Sequence, residues 1–105
     1  MAWTVMVGEE FDQCITFNFS PLYRTMMPGG LSQLHGVTAE EAAVIIWHGF
    51  RSVSSMRDEE YVISLVGTGP FVRGMNTVDQ GLRILRELWE ACIKADPKEK
   101  VIVFG

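Results

Sequence analysis

The chain lacks the long apolar and basic runs that mark membrane proteins and nucleic-acid-binding proteins. No segment of its 105 residues approaches the ~20 consecutive apolar residues of a membrane span, and the N-terminus lacks the charged start and apolar stretch of a signal peptide. Three lysines near the C-terminus and six scattered arginines form no basic run, and the net charge is −4. We therefore expect a cytoplasmic protein that binds neither membrane nor nucleic acid.

Cysteine and histidine are also scarce, with two of each. Cys14 falls in a strand-like segment and Cys92 on the apolar stripe of a helix, so we expect two buried thiols rather than a disulfide. A metal site needs three or four ligands at workable spacing, which two histidines and scattered acids do not provide. The sequence predicts no metal and no cofactor, and it favours a non-enzymatic protein over an enzyme.

Apolar residues, in contrast, are plentiful. They make up 48% of the chain and include three Trp and six Phe. A chain of this length supports one hydrophobic core, which needs neither a metal nor a disulfide to hold it together. No internal repeat or linker divides the sequence, so residues 1–105 are predicted to form a single domain.

Alternating apolar residues at both ends of the chain predict a small sheet. Residues 2–7 and 14–19 each alternate with a period of two, and a turn over residues 8–12 predicts an antiparallel hairpin between them. Residues 101–104 predict a third strand, which must pair with one of the first two.

Capping signals predict the helices between these strands. Ser20 is predicted to cap a short helix that begins at Pro21 and ends at the Pro-Gly-Gly sequence of residues 28–30. Thr38 and Glu41 form a capping box that opens the first main helix. The predicted buried stripe of that helix comprises Ala42, Ile46, Gly49, Phe50 and Val53.

A second capping box, at residues 77–80, opens the best-defined helix, which is predicted to end at Asp96-Pro97. Residues 58–66 are ambiguous, because their acids favour a first helical turn and their apolar residues favour a strand; we favour a helix. The apolar stripe of the best-defined helix comprises Val78, Leu82, Leu85, Trp89 and Cys92.

These elements together predict an α+β fold. The apolar stripes of the helices must pack against a surface, and the predicted strands provide one. We expect a small three-stranded sheet, made of an N-terminal hairpin plus a C-terminal strand, covered by two main helices and one or two short ones.

Three short motifs resemble a group of small uncharacterised proteins of actinobacteria and their phages. They are Asn18-Phe19-Ser20, Leu34-His35-Gly36 and the helix end at residues 92–97, in that order. The resemblance spans roughly residues 15–103. It differs at Pro21, where the group has Asn, and at residues 69–74, where it has an Asn-Gly-Trp-Gly turn. It implies a phage or actinobacterial setting and no assigned activity.

Polar residues that follow the second predicted strand form a candidate ligand site. Asn18 leaves that strand on the face opposite its aromatic residues, and Ser20 and Arg24 follow at once. In the alternative interpretation, Asn18 and Ser20 end a strand and cap a helix, and His35 caps the helix that begins at Thr38. The candidate ligand-binding residues are Asn18, Ser20, Arg24, His35 and Arg73.

A second set of residues is apolar and falls in or beside loops, or off the main stripes. Flexible methionines with rigid aromatics are typical of contact surfaces, although a small domain can also fold them inward. The candidate interaction residues are Met26, Met27, Trp47, Phe71, Val72 and Met75. We therefore predict a protein-interaction module that self-associates or binds a host or cellular protein. The alternative is a small-molecule binder or minor enzyme that uses the polar set.

Overall fold

The structure, a computed structural model, describes residues 2–53 and 78–105, and the ambiguous segment 58–66 lies outside these ranges. Within them the chain forms three strands and three helices, which confirms the predicted α+β class. No helix in these ranges is long and apolar enough to cross a membrane. The elements are β1 (Ala2–Val7), β2 (Phe11–Thr16), α1 (Ser20–Met26), α2 (Ala39–Val53), α3 (Val78–Lys94) and β3 (Val101–Phe104).

Strand β1 lies at the centre of the sheet, in the order β2-β1-β3, and is antiparallel to both neighbours. The hairpin places Val7 opposite Phe11, and Gly8 adopts a φ of 50° in the turn, a conformation that glycine takes without strain. The terminal strand pairs with β1 so that Val103 lies opposite Val5. The predicted hairpin and the predicted pairing of the two chain ends are both confirmed.

The second strand begins three residues earlier than its pattern predicts. It covers residues 11–16 instead of 14–19, and Phe17–Phe19 form a 3₁₀ turn. Phe11 is buried and pairs with Val7, so β2 begins to pair with β1 directly after the turn. The Thr16 hydroxyl then accepts a hydrogen bond from the Asn18 amide (3.2 Å), which helps to turn the backbone out of the sheet.

Helix α1 starts where the sequence predicts, but its N-terminus is capped differently. The 3₁₀ turn runs directly into the helix, and the Ser20 amide donates to the carbonyl oxygen of Phe17. The residue at the cap position is Phe19, and no side chain caps this helix. The predicted cap by Ser20 is therefore wrong, because Ser20 already has helical backbone angles. Gly29 and Gly30, with φ values of 83° and 70°, end the segment as predicted.

The three helices cover one face of the sheet. Trp3, Val5 and Val7 of β1 point into the core, as their alternation predicts. In α2 and α3 the predicted stripes are largely confirmed, with Ile46 and Leu85 fully buried. Other described members of the two stripes are buried or partly buried, namely Ala42, Gly49, Phe50, Leu82, Trp89 and Cys92.

Tyr23 connects the short helix to α3 inside the core. Its hydroxyl donates a hydrogen bond to the carbonyl oxygen of Gly81 (3.0 Å), and its ring lies 5.8 Å from that of Phe19. Gly81 has no room for a larger side chain, because a Cβ atom there would lie 2.7 Å from Leu22 and 2.8 Å from Phe19. A glycine at this position allows α3 to approach α1 closely.

Candidate functional site

The candidate polar residues near α1 are placed at the protein surface. The Nε atom of Arg24 donates to the main-chain carbonyl oxygen of Ser20, one turn earlier in α1 (3.4 Å). Asn18 lies in the 3₁₀ turn that precedes this helix and is exposed. Ser20 and Arg24 thus lie together, although the contact uses the main chain of Ser20 and not its hydroxyl.

His35 contacts the sheet rather than a helix. Its Nδ1 atom accepts a hydrogen bond from the Val103 amide (3.1 Å), and its ring lies 5.7 Å from that of Phe104. The helix that begins after Thr38 is capped by Thr38 itself, whose hydroxyl accepts from the Glu41 amide (3.2 Å). His35 therefore satisfies an amide on the outer edge of β3, and the helix-capping interpretation is wrong.

The described contacts do not join the polar set into one site. Within residues 2–53 and 78–105, no hydrogen bond or ion pair connects His35 to Asn18 or Arg24. Arg73 lies outside the described residues. In the same part of the chain, no three or more His, Cys, Asp or Glu side chains are grouped so that they could hold a metal ion.

Of the candidate interaction residues, Met26 and Met27 belong to the core, with 5% and 0% of their surface exposed. Met26 is covered because α1 crosses α2 at Gly49, where a Cβ atom would lie 3.2 Å from that of Met26. These two residues therefore do not contribute to a contact surface. Phe71, Val72 and Met75 lie outside the described residues.

Trp47 lies on an exposed apolar surface of the α2–α3 pair. Its ring is 5.7 Å from the ring of Trp89, with 30° between the two planes. Val44, Trp47 and Ile93 are 53%, 51% and 59% exposed and line one groove, so they form a contiguous exposed apolar patch. We call the surface formed by Val44, Trp47, Phe50, Leu82, Trp89 and Ile93 the tryptophan face.

Two grooves run along this face, one on either side of the tryptophan pair. The Glu40 groove lies between the start of α2 and the end of α3 and has a volume of about 370 Å³. The Arg83 groove lies between the end of α2 and the start of α3 and measures about 600 Å³. The Glu40 groove is lined by Glu40, Ala43, Val44, Cys92, Ile93 and Pro97, and the Arg83 groove by Phe50, Leu82, Arg83 and Arg86.

The two grooves carry charges of opposite sign. Glu40 is exposed at one end of the face, and Arg83 is exposed at the other. Arg86 also lines the basic end but contacts Glu90 of its own helix, with 3.4 Å between Nε and Oε1. Within the described ranges, Arg83 forms no ion pair with Glu87, and Glu90 forms none with Lys94. The face is therefore polarised along the helix axes.

Main-chain hydrogen bonds fix the acidic end of the face. The amide of Glu40 donates to the carbonyl oxygen of Pro97 (3.2 Å), and the amide of Ala39 donates to that of Glu99 (2.7 Å). These amides belong to the first turn of α2 and have no partners within the helix. The loop after α3 satisfies them, so hydrogen bonds tie the start of α2 to the segment after α3 at this end of the Glu40 groove.

The cysteines occupy different environments. Cys92 is 3% exposed beneath the Glu40 groove, and burial raises the pKa of its thiol from 9.0 to about 11, so the thiol is protonated at neutral pH. Cys14 is exposed, because it lies opposite Thr4 on the outer face of the hairpin, and its predicted burial is wrong. Both thiols are free, which agrees with the predicted absence of a disulfide. A buried, protonated thiol is a poor nucleophile.

Sequence reasoning identified Trp47 but missed most of the tryptophan face. Val44 and Ile93 were not singled out, and Trp89 was assigned only to the buried stripe of its helix. The missed signal is a second apolar stripe, because Val44 and Trp47 are three residues apart and Trp89 and Ile93 are four apart. Both spacings place the pair on one side of a helix.

No protein-family model, curated protein or solved structure matches the chain. The resemblance to small proteins of actinobacteria and their phages therefore stays a prediction. Function must be inferred from the geometry of the tryptophan face.

Proposed function

We propose that this domain is a protein-interaction module that binds a protein partner through the tryptophan face. The observation that carries the proposal is the grouping of Val44, Trp47 and Ile93, each more than half exposed, on one surface. Contiguous exposed apolar surface is rare on monomeric proteins unless it serves binding, and tryptophan is enriched among residues that dominate binding energy. A cytoplasmic location stays part of this proposal.

A small-molecule ligand is the second candidate, and one observation favours it. The 370 Å³ of the Glu40 groove falls within the range of about 300 to 1,000 Å³ typical of ligand pockets. Such pockets also present several convergent polar groups, whereas Glu40 is the one charged side chain among the described residues that line this groove. The polar set around Asn18 and His35 is not joined by any described contact, so we prefer the protein partner.

Site-specific photo-crosslinking tests the proposed function. A photoreactive phenylalanine analogue at Val44 would lie on the tryptophan face, and the same analogue at Asp12, an exposed residue of β2, would serve as the matched control. In the cells that naturally produce the protein, we expect a protein adduct from position 44 and much less from position 12. A Trp47→Glu change on the same chain should remove the adduct, because it introduces a charge into the apolar contact.

Equal yields from positions 44 and 12, or an adduct that survives Trp47→Glu, would contradict the proposal. Binding of a small apolar molecule without any protein adduct would support the second candidate instead.

A further inference from the structure

We infer that the partner on the tryptophan face is a second copy of this chain, related to the first by a two-fold axis that lies in the plane of the contact, above the Trp47–Trp89 pair and across the two helices. This inference rests on the proposed function and names the occupant of the same surface. It follows from the arrangement of the two grooves and from the charges at their ends.

The face has the geometry that a two-fold contact requires. Helices α2 and α3 are antiparallel, since Glu40 at the start of α2 lines a groove with Ile93 near the end of α3, and Phe50 lines the other with Leu82. The tryptophan pair contributes to both grooves and separates them. A rotation of half a turn about an axis that lies in the contact plane, above this pair and perpendicular to the helices, places a second face over the first with its two ends exchanged. Each Glu40 groove then lies over the Arg83 groove of the second copy.

Charge complementarity selects this orientation. In the two-fold arrangement Glu40 of each copy lies over the end of the second copy that carries Arg83, so opposite charges meet twice. Two faces stacked with their ends in the same direction would place Glu40 over Glu40 and Arg83 over Arg83. Within residues 2–53 and 78–105, Arg83 has no ion pair that this contact would have to replace.

The side chains at the centre suit a contact that closes on itself. Trp47 is half exposed and rests against Trp89, so it presents a rigid apolar surface at the position of the proposed axis. A two-fold contact uses the same surface on both copies and stops at two. The inferred assembly is therefore a dimer and not a larger polymer.

Sedimentation velocity of the purified full chain over a wide concentration range tests the inference. We expect a monomer–dimer equilibrium in the unmodified protein. Trp47→Glu and, independently, Val44→Glu should each raise the dimer dissociation constant by about 30-fold or more, as expected for a central contact residue worth about 2 kcal/mol. Circular dichroism of both variants establishes that they remain folded, and Val44→Glu provides a second test if Trp47→Glu does not fold.

Charge exchange tests the orientation of the two copies. Glu40→Arg and Arg83→Glu should each weaken the dimer by about five-fold, and the double variant should return to within about two-fold of the unmodified protein. The matched control is Glu41→Arg, which makes the same charge change in the same turn of α2 at a residue that does not line the groove. This control should leave the dissociation constant within about two-fold of the original.

The outcomes separate this inference from the proposed function. A purified chain that is monomeric at all concentrations, or a dimer that Trp47→Glu and Val44→Glu leave intact, would overturn the second-copy inference. An adduct at position 44 with a different protein would then still support an interaction module. A monomer that also gives no adduct would overturn both. A dimer without recovery in the Glu40→Arg, Arg83→Glu variant would overturn the two-fold arrangement.

Discussion

The α2–α3 pair has two apolar faces that differ in almost every physical respect. The inner face carries Ile46, Leu85 and Leu88, which are fully buried against the sheet and α1. The outer face carries Trp47 and Ile93, which remain more than half exposed. The inner face also contains glycines that allow close helix contacts, whereas the outer face is built from large side chains. The comparison indicates that one apolar stripe of each helix forms the core and the other is left open to solvent.

The largest expected difference is between Leu85→Ala and Ile93→Ala, two truncations in the same helix. Leu85 is fully buried, so its truncation leaves a cavity and should lower the free energy of unfolding by about 2 to 5 kcal/mol. Ile93 is 59% exposed, so its truncation should change that free energy by no more than about 0.5 kcal/mol. Urea unfolding at a protein concentration low enough to dissociate any dimer measures both. Similar losses for the two variants would contradict the division into two faces.

Gly81→Ala tests how tightly the inner face is packed. Alanine favours a helix over glycine by up to about 1 kcal/mol, but its Cβ atom would lie 2.7 Å from Leu22 and 2.8 Å from Phe19. We expect the overlap to dominate and to lower the free energy of unfolding by about 1 to 3 kcal/mol.

Gly49→Ala is the matched comparison for Gly81→Ala, because it is also a glycine inside a helix. Its added Cβ atom would lie 3.2 Å from Met26, so it should cost less than Gly81→Ala in the same unfolding measurement. A stabilised Gly81→Ala variant would show that α1 and α3 can separate freely.

The last comparison concerns Cys92, which lies beneath the outer face. Its folded pKa, about 11, is raised above the ordinary value of 9.0, so the unfolded chain loses this proton at lower pH than the folded chain does. The resulting stability is complete below about pH 9 and is lost as the pH rises to about 11. Urea unfolding from pH 8 to 11 should therefore show a shallower decline for Cys92→Ala than for the original chain. Parallel declines would show that the Cys92 thiol is not desolvated as described.

The sequence predicts β1, β3 and the two main helices because their signals are local. Alternation with a period of two places Val5 and Val103 in the sheet, and the Thr38 hydroxyl caps α2 in the structure. The second strand was misplaced because Phe17 and Phe19 continue its alternation after the chain has left the sheet. The register of β2 against β1 is set by the pairing of Phe11 with Val7. This pairing depends on both strands and the turn together, so the alternation within one strand does not predict it.

The candidate site was only partly predictable, for a related reason. Met26 and Met27 lie beside a Pro-Gly-Gly loop and look exposed in sequence, but α2 covers Met26 at Gly49, which is distant along the chain. A helix-capping role was predicted for His35 because Thr38 is close to it in sequence. The hydrogen bond of His35 is instead with Val103, which is distant along the chain. A second apolar stripe on α2 and α3 was visible in the sequence, but which of the two stripes packs inward depends on how the helices pair.

The outer edge of β3 is occupied along most of its length. The carbonyl oxygen of Val101 accepts from the Gly36 amide, and the Val101 amide donates to the carbonyl oxygen of Val37, at 2.8 Å each. The amide of Val103 donates to Nδ1 of His35. A fibril that grows by adding strands side by side needs two unpaired sheet edges on every subunit, because each subunit must pair with one neighbour on either side. The sheet formed by residues 2–53 and 78–105 has at most one, the outer edge of β2. Growth of a β-ribbon through both edges of this sheet is therefore blocked at β3.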